Sequence, residues 1–92
     1  MSEVNQALLA ADDFENIVRG YMAYDAETGG LVSKIMGLTY GVKELLSEPT
    51  RKNIQEALEK AHICRDDCSY YSSDAPDAWR QVNLLIEKLE KL

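Results

Sequence analysis

The residues Phe14, Ile17, Tyr21, Tyr24, Thr28, Leu31, Ile35, Leu38, Val42 and Leu45 follow one another at steps of three and four in strict alternation. Such spacing puts all of these side chains on one helical stripe, whereas a strand would divide them between two faces. The repeat covers about a third of the sequence and commits it to amphipathic helices with a coiled-coil-like seam. Asp12-x-x-Glu15 has the form of a capping box just before the run begins, and Glu15 with Arg19 forms an i,i+4 pair in the favourable order.

Gly29-Gly30 lies inside the repeat without shifting its phase. Each glycine in a helix interior costs about 1 kcal/mol relative to alanine. That cost favours a turn or kink, with helices at about 13–24 and 26–47 and Asp25 capping the second. The preserved phase favours one continuous helix of about 50 Å at 1.5 Å per residue, whose exposed stripe would call for a second chain. The balance leans to the broken form.

Ser47-Glu48-Pro49-Thr50 reads as a turn and a helix start, because proline is tolerated in a first turn. The next helix runs from about 50 to 71 on the stripe Ile54, Ala57, Ala61, Cys64, Cys68 and Tyr71, with Glu56 and Lys60 paired at i,i+4. Ser72 to Asp77 breaks the pattern again, with Asp74 as N-cap and Asp77 in the first turn. A last helix over about 75–92 carries Ala78, Val82, Leu85, Leu89 and Leu92, widened by Trp79 and Ile86. Residues 3–10 read as a short helix after Ser2.

Short connections make successive helices antiparallel. The expected fold is all-α, in one domain over 1–92. It is a small antiparallel bundle: a helical hairpin at about 26–71, a C-terminal helix at about 75–92 and an N-terminal helix at about 13–24, with dimerisation as a further way to cover apolar surface. Gly30, Ser33, Gly37 and Gly41 form a second, small-residue stripe. With Ala57, Ala61, Cys64 and Cys68 opposite, it predicts close packing of the two hairpin helices, or else a shallow groove.

Sixteen acidic and ten basic residues leave a net charge of −6. That balance opposes nucleic-acid binding through phosphate contacts and docking on anionic membranes. Residues 1–30 hold six acids and one base, so the N-terminal third is the acidic end and suits a basic partner surface. No basic stretch leads into an apolar segment as in a secretory signal, and no apolar run reaches membrane-spanning length. A cytoplasmic location is the default expectation.

Chemical motifs are sparse. Cys64 and Cys68 lie one turn apart on an apolar stripe, which suits buried thiols better than a zinc site needing about four ligands. The single histidine, His62, falls on another face, with Asp66 at i,i+4. No phosphate loop or hydrolase signature occurs, so neither an enzyme nor a cofactor is expected. Gly37-Leu38-Thr39-Tyr40 resembles the turn of a helix-turn-helix, with Val32 and Leu46 apolar where that motif has core residues. Ser47-Glu48-Pro49-Thr50-Arg51 is similar to a segment that follows it in some bacterial repressors. The resemblance implies a DNA-binding regulator, against which stand Lys43 at a position that motif keeps apolar, the unbroken repeat and the acidic charge.

Tyrosine supplies five of the seven aromatic residues. Tyr21, Tyr24, Tyr40, Tyr70 and Tyr71 are either core-edge residues or contact residues, since tyrosine joins an apolar body to a polar tip. An antiparallel hairpin would bring Tyr24, Tyr70 and Tyr71 to the end that carries Asp25 and Glu27. The expected function is a non-enzymatic protein-binding module, an adaptor, regulator or inhibitor of bacterial or phage type acting by steric occlusion. Its docking patch would comprise Tyr21, Tyr24, Asp25, Glu27, Tyr40, Tyr70 and Tyr71. A structural homo-oligomeric bundle is the alternative.

Overall fold

The computed structural model describes residues 2–92 and forms four α-helices among them: α1 (Glu3–Arg19), α2 (Leu31–Leu46), α3 (Arg51–Ser69) and α4 (Pro76–Glu90). A short 3-10 turn, Met22–Tyr24, lies in the linker between α1 and α2. The short helix read over 3–10 and the N-terminal helix read over about 13–24 are thus one element, which ends at Arg19. Ser2 is its cap, with Oγ accepting from the Asn5 N–H at 3.1 Å. Alanines at 7, 10 and 11 favour helix and fit under neighbouring elements, so the chain is already helical well before Asp12. Asp12 and Glu15 therefore cap nothing. They sit mid-helix and hold the Lys43 ammonium of α2, at 2.6 Å and 3.4 Å. Glu15 also receives Arg19 at 3.0 Å, as its spacing predicts.

The repeat does not run on as one helix. Gly29 and Gly30 have φ of 68° and 85°, in the left-handed region that costs other residues about 1–2 kcal/mol. Tyr21, Tyr24 and Thr28 consequently lie in a non-α linker, and their phase with the helices on either side is a coincidence. The second helix starts at Leu31 rather than Ala26. Asp25 caps it all the same, from five residues outside the Gly30 N-cap position: its carboxylate accepts the Ser33 N–H at 2.8 Å and the Ser33 hydroxyl at 2.7 Å. These bonds hold the Asp25 carboxyl below its ordinary pKa.

On α2 the buried stripe is Val32, Ile35, Thr39, Val42 and Leu46, while Leu31, Leu38 and Leu45 flank it half-buried. The apolar face is this wide because α2 packs against both α1 and α3. Thr39 is fully enclosed and donates its hydroxyl to the Ile35 carbonyl at 2.8 Å. Residues 37–40 are continuous helix, so the helix-turn-helix resemblance fails at its turn.

Thr50 caps α3 through the Asn53 N–H at 3.1 Å. The expected stripe of Ala57, Ala61, Cys64 and Cys68 is buried, but Tyr71 falls beyond the helix and is exposed. Asp74 does not cap α4. Pro76 occupies its first turn, and Asp77 accepts the Ala78 N–H at 2.9 Å. Ala78, Val82, Leu85, Ile86 and Leu89 face the core.

Each helix runs antiparallel to the one before it. Lys43 meets Asp12, Lys34 meets Asp67, and the Gln81 amide donates to the Ala10 carbonyl at 3.2 Å, so α4 returns alongside α1 and closes a four-helix ring. One core fills the ring, with Phe14, Leu46, Leu85 and Leu89 its largest enclosed side chains. The bundle measures 37 × 19 × 18 Å. The most extensive seam joins α2 to α3, as the small residues predict, although the glycine stripe contributes little to it. A Cβ on Gly41 would come within 3.1 Å of the Lys60 stem, while one on Gly37 would meet none of the described residues within 4 Å. Lys60 lies over Gly41 rather than pairing with Glu56. No helix among the described residues is long and apolar enough to cross a membrane.

Candidate functional site

A cavity of about 440 Å³ opens at the end of the bundle where α1 and α3 finish and α2 and α4 begin. It exists because that end is under-filled. The core-facing residues there are small, Cys68 on α3 and Ala75 and Ala78 around the start of α4, and Tyr21, Tyr24, Glu27 and Thr28 of the linker form part of the wall. Val18, Val32 and Ile35 form an apolar floor. Tyr21, Tyr24, Tyr71 and Leu31 stand around it, and Glu27, Asp67 and Asp74 supply carboxylates.

Several contacts fix this end. The Tyr21 hydroxyl donates to Asp77 Oδ1 at 2.7 Å, tying the linker to the first turn of α4. That bond raises the Tyr21 pKa and lowers that of Asp77, because it favours a neutral phenol beside a charged carboxylate. The Tyr21 and Tyr24 rings lie 6.4 Å apart at 44°. Thr28 donates to the carbonyls of Tyr24 and Asp25 at 3.0 and 3.1 Å, which tightens the turn before the two glycines.

Asp67 is the most enclosed carboxylate in the wall. Lys34 Nζ approaches its buried Oδ2 to 2.9 Å in an ion pair that is its one charged contact among the described residues. The adjacent Cys68 thiol is pushed up to about 11 by burial and by the Asp67 charge, and Cys64, deeper in the core, to about 12 by burial. Both thiols are free and held protonated. Elsewhere His62 Nδ1 lies 3.0 Å from Arg65 rather than pairing with Asp66.

Of the residues the sequence nominates, the fold brings Tyr21, Tyr24, Glu27 and Tyr71 together around the cavity. Asp25 is at the same end but is engaged with Ser33. Tyr70 is 85% exposed and does not line the cavity. Tyr40 belongs to a different surface, midway along α2, with its pKa raised by the neighbouring Glu44 carboxylate. Asp67, Cys68 and Asp74 are additions that the sequence reading missed. The signal was available in part, since they flank Tyr70-Tyr71 at the helix end already singled out. What the site offers is apolar wall, aromatic faces and carboxylates, the chemistry of recognition. Comparison of the chain with protein-family models, curated proteins and solved structures finds no match.

Proposed function

We propose that the protein is a non-enzymatic binding module that docks its tyrosine-lined, acidic end on a larger protein with a basic surface and acts by steric occlusion. The observation that carries this reading is the convergence of Tyr21, Tyr24, Tyr71 and Glu27 on one apolar cavity. Tyrosine rings bury large area at low entropic cost and are enriched among residues that dominate binding energy. Met22 and Tyr24 of the linker and Tyr70 at the end of α3 add exposed apolar surface. The net charge of −6 steers the approach of a basic surface.

Affinity capture from host lysate tests it with three chains: the natural one, the double variant Tyr24→Ala/Tyr71→Ala, and Tyr40→Ala as a control on a separate face. The expected result is one stoichiometric partner held by the natural chain and the control and lost by the double variant. Equal retention by all three chains, with the double variant still folded, would refute the assignment.

A further inference from the structure

Resting on that docking reading, we infer that the cavity receives an arginine side chain of the partner, its guanidinium set against Asp67 and its methylene stem along the apolar wall. Charge makes the first argument. Glu27, Asp67 and Asp74 line the cavity, and none of the described lining residues is basic. The second argument is Asp67, the least exposed carboxylate of the wall, which already draws a cation to 2.9 Å from its Oδ2 and would pair through two N–H groups with a guanidinium fork. The third is the ring faces of Tyr21, Tyr24 and Tyr71, which attract a cation through their quadrupoles. Arginine answers all three better than lysine, because its planar fork stacks on aromatic rings and pairs with carboxylates through two N–H groups.

Lys34 supplies the mechanism of exchange. Its ammonium already rests 2.9 Å from Asp67 Oδ2, so this carboxylate attracts a cation. The Lys34 side chain is 54% exposed and can swing into solvent without leaving a buried charge behind. The incoming guanidinium takes its place. The resident lysine is therefore a competitor, and removing it strengthens binding while removing the Asp67 charge weakens it. A merely structural ion pair would give no such opposition of signs.

The test uses the full chain labelled with nitrogen-15 and titrated with n-butylguanidinium chloride, with n-pentanol as the neutral analogue. Saturable amide shifts are expected at Tyr24, Thr28, Leu31, Cys68 and Tyr71, with a Kd on the order of 10 mM as befits so small a probe. The alcohol and the Asp67→Asn variant should each bind about fivefold more weakly, and Lys34→Met about twofold more tightly. Equal binding of alcohol and guanidinium would make the occupant an apolar side chain and overturn the inference. So would shifts scattered over the exposed carboxylates, or an Asp67→Asn chain that keeps its dispersed spectrum and its affinity. Partner capture separates the two readings. A partner retained by Asp67→Asn but lost by Tyr24→Ala/Tyr71→Ala leaves docking in place and removes the arginine; a partner lost by neither removes the docking on which the arginine depends.

Discussion

Substituting alanine for glycine at three positions should give three different answers from one chemical change. At Gly30, φ of 85° places the residue where a Cβ costs about 1–2 kcal/mol. Alanine also restricts the unfolded chain, which returns about 0.4–1 kcal/mol. With none of the described atoms within 4 Å of the new methyl, no packing term enters, and the net expectation is a loss of about 0.5–1 kcal/mol. Gly37 is equally open to solvent but helical, so alanine there should gain about 0.5–1 kcal/mol. At Gly41 the same helical gain is set against displacing the Lys60 stem from 3.1 Å, and the result should lie near zero. Urea unfolding followed by far-UV circular dichroism measures all three. The melting temperatures of Gly30→Ala and Gly37→Ala should move in opposite directions, by about 4–8 °C per kcal/mol in a domain of this size. A stabilising Gly30→Ala would mean that residues 29–30 are helical and that α1 and α2 are one rod, which would undo the ring and the cavity together.

Two further outcomes follow from the titrating groups. With the Cys68 pKa pushed up to about 11, its thiolate fraction at pH 8 is on the order of 0.1%; both cysteines should resist a disulfide reagent in the folded protein and react fully in denaturant, and rapid native labelling would contradict the burial described. Asp77 titrates below its ordinary value, so its contribution to stability is complete above the usual carboxylate range and is lost as pH falls through the lowered pKa. Tyr21 titrates above its ordinary value, so its contribution holds below about pH 10 and is lost as pH rises through the raised pKa. Tyr21→Phe should cost about 1 kcal/mol at neutral pH and flatten both limbs of the stability–pH curve, and an unchanged profile would place the phenol–carboxylate bond elsewhere.

Helix type and approximate order were legible because apolar spacing reports burial directly, whereas the number was not, since the segments over 3–10 and from about 13 form one helix. The α3 stripe of Ala57, Ala61, Cys64 and Cys68 and the α4 stripe through Val82 and Leu85 are buried as read. The misplaced elements share a cause: one short pattern has two physical uses. Asp12-x-x-Glu15 fits a capping box and equally an exposed acidic face that receives a lysine from another helix. Asp25 is a cap as its residue type suggests, but the N–H it reaches is that of Ser33, across the glycine turn. Three-four spacing through Tyr21, Tyr24 and Thr28 falls in a linker, where it reports no shared helical face. The site was half legible for the same reason. Tyrosines advertise themselves by type, whereas Asp67 and Cys68 matter through enclosure, which only the packed ring creates.

The ring has an unequal set of seams. Three of them join helices that are neighbours along the chain and need only a short loop to close. The fourth joins α1 to α4, elements separated by nearly the whole sequence, and loop closure over that distance makes it the slowest contact to form. It is fastened at one end by Tyr21 to Asp77 and along its length by Gln81 to Ala10. Val18 and Tyr21 line the cavity from one side of this fastening, and Ala75 and Ala78 from the other. An occupant that fills the cavity would bridge the first and the last helix and act as a latch on the ring. Occupancy should accordingly slow the opening of the bundle as well as block a surface, and lifetime of the folded state becomes a second currency in which binding is registered.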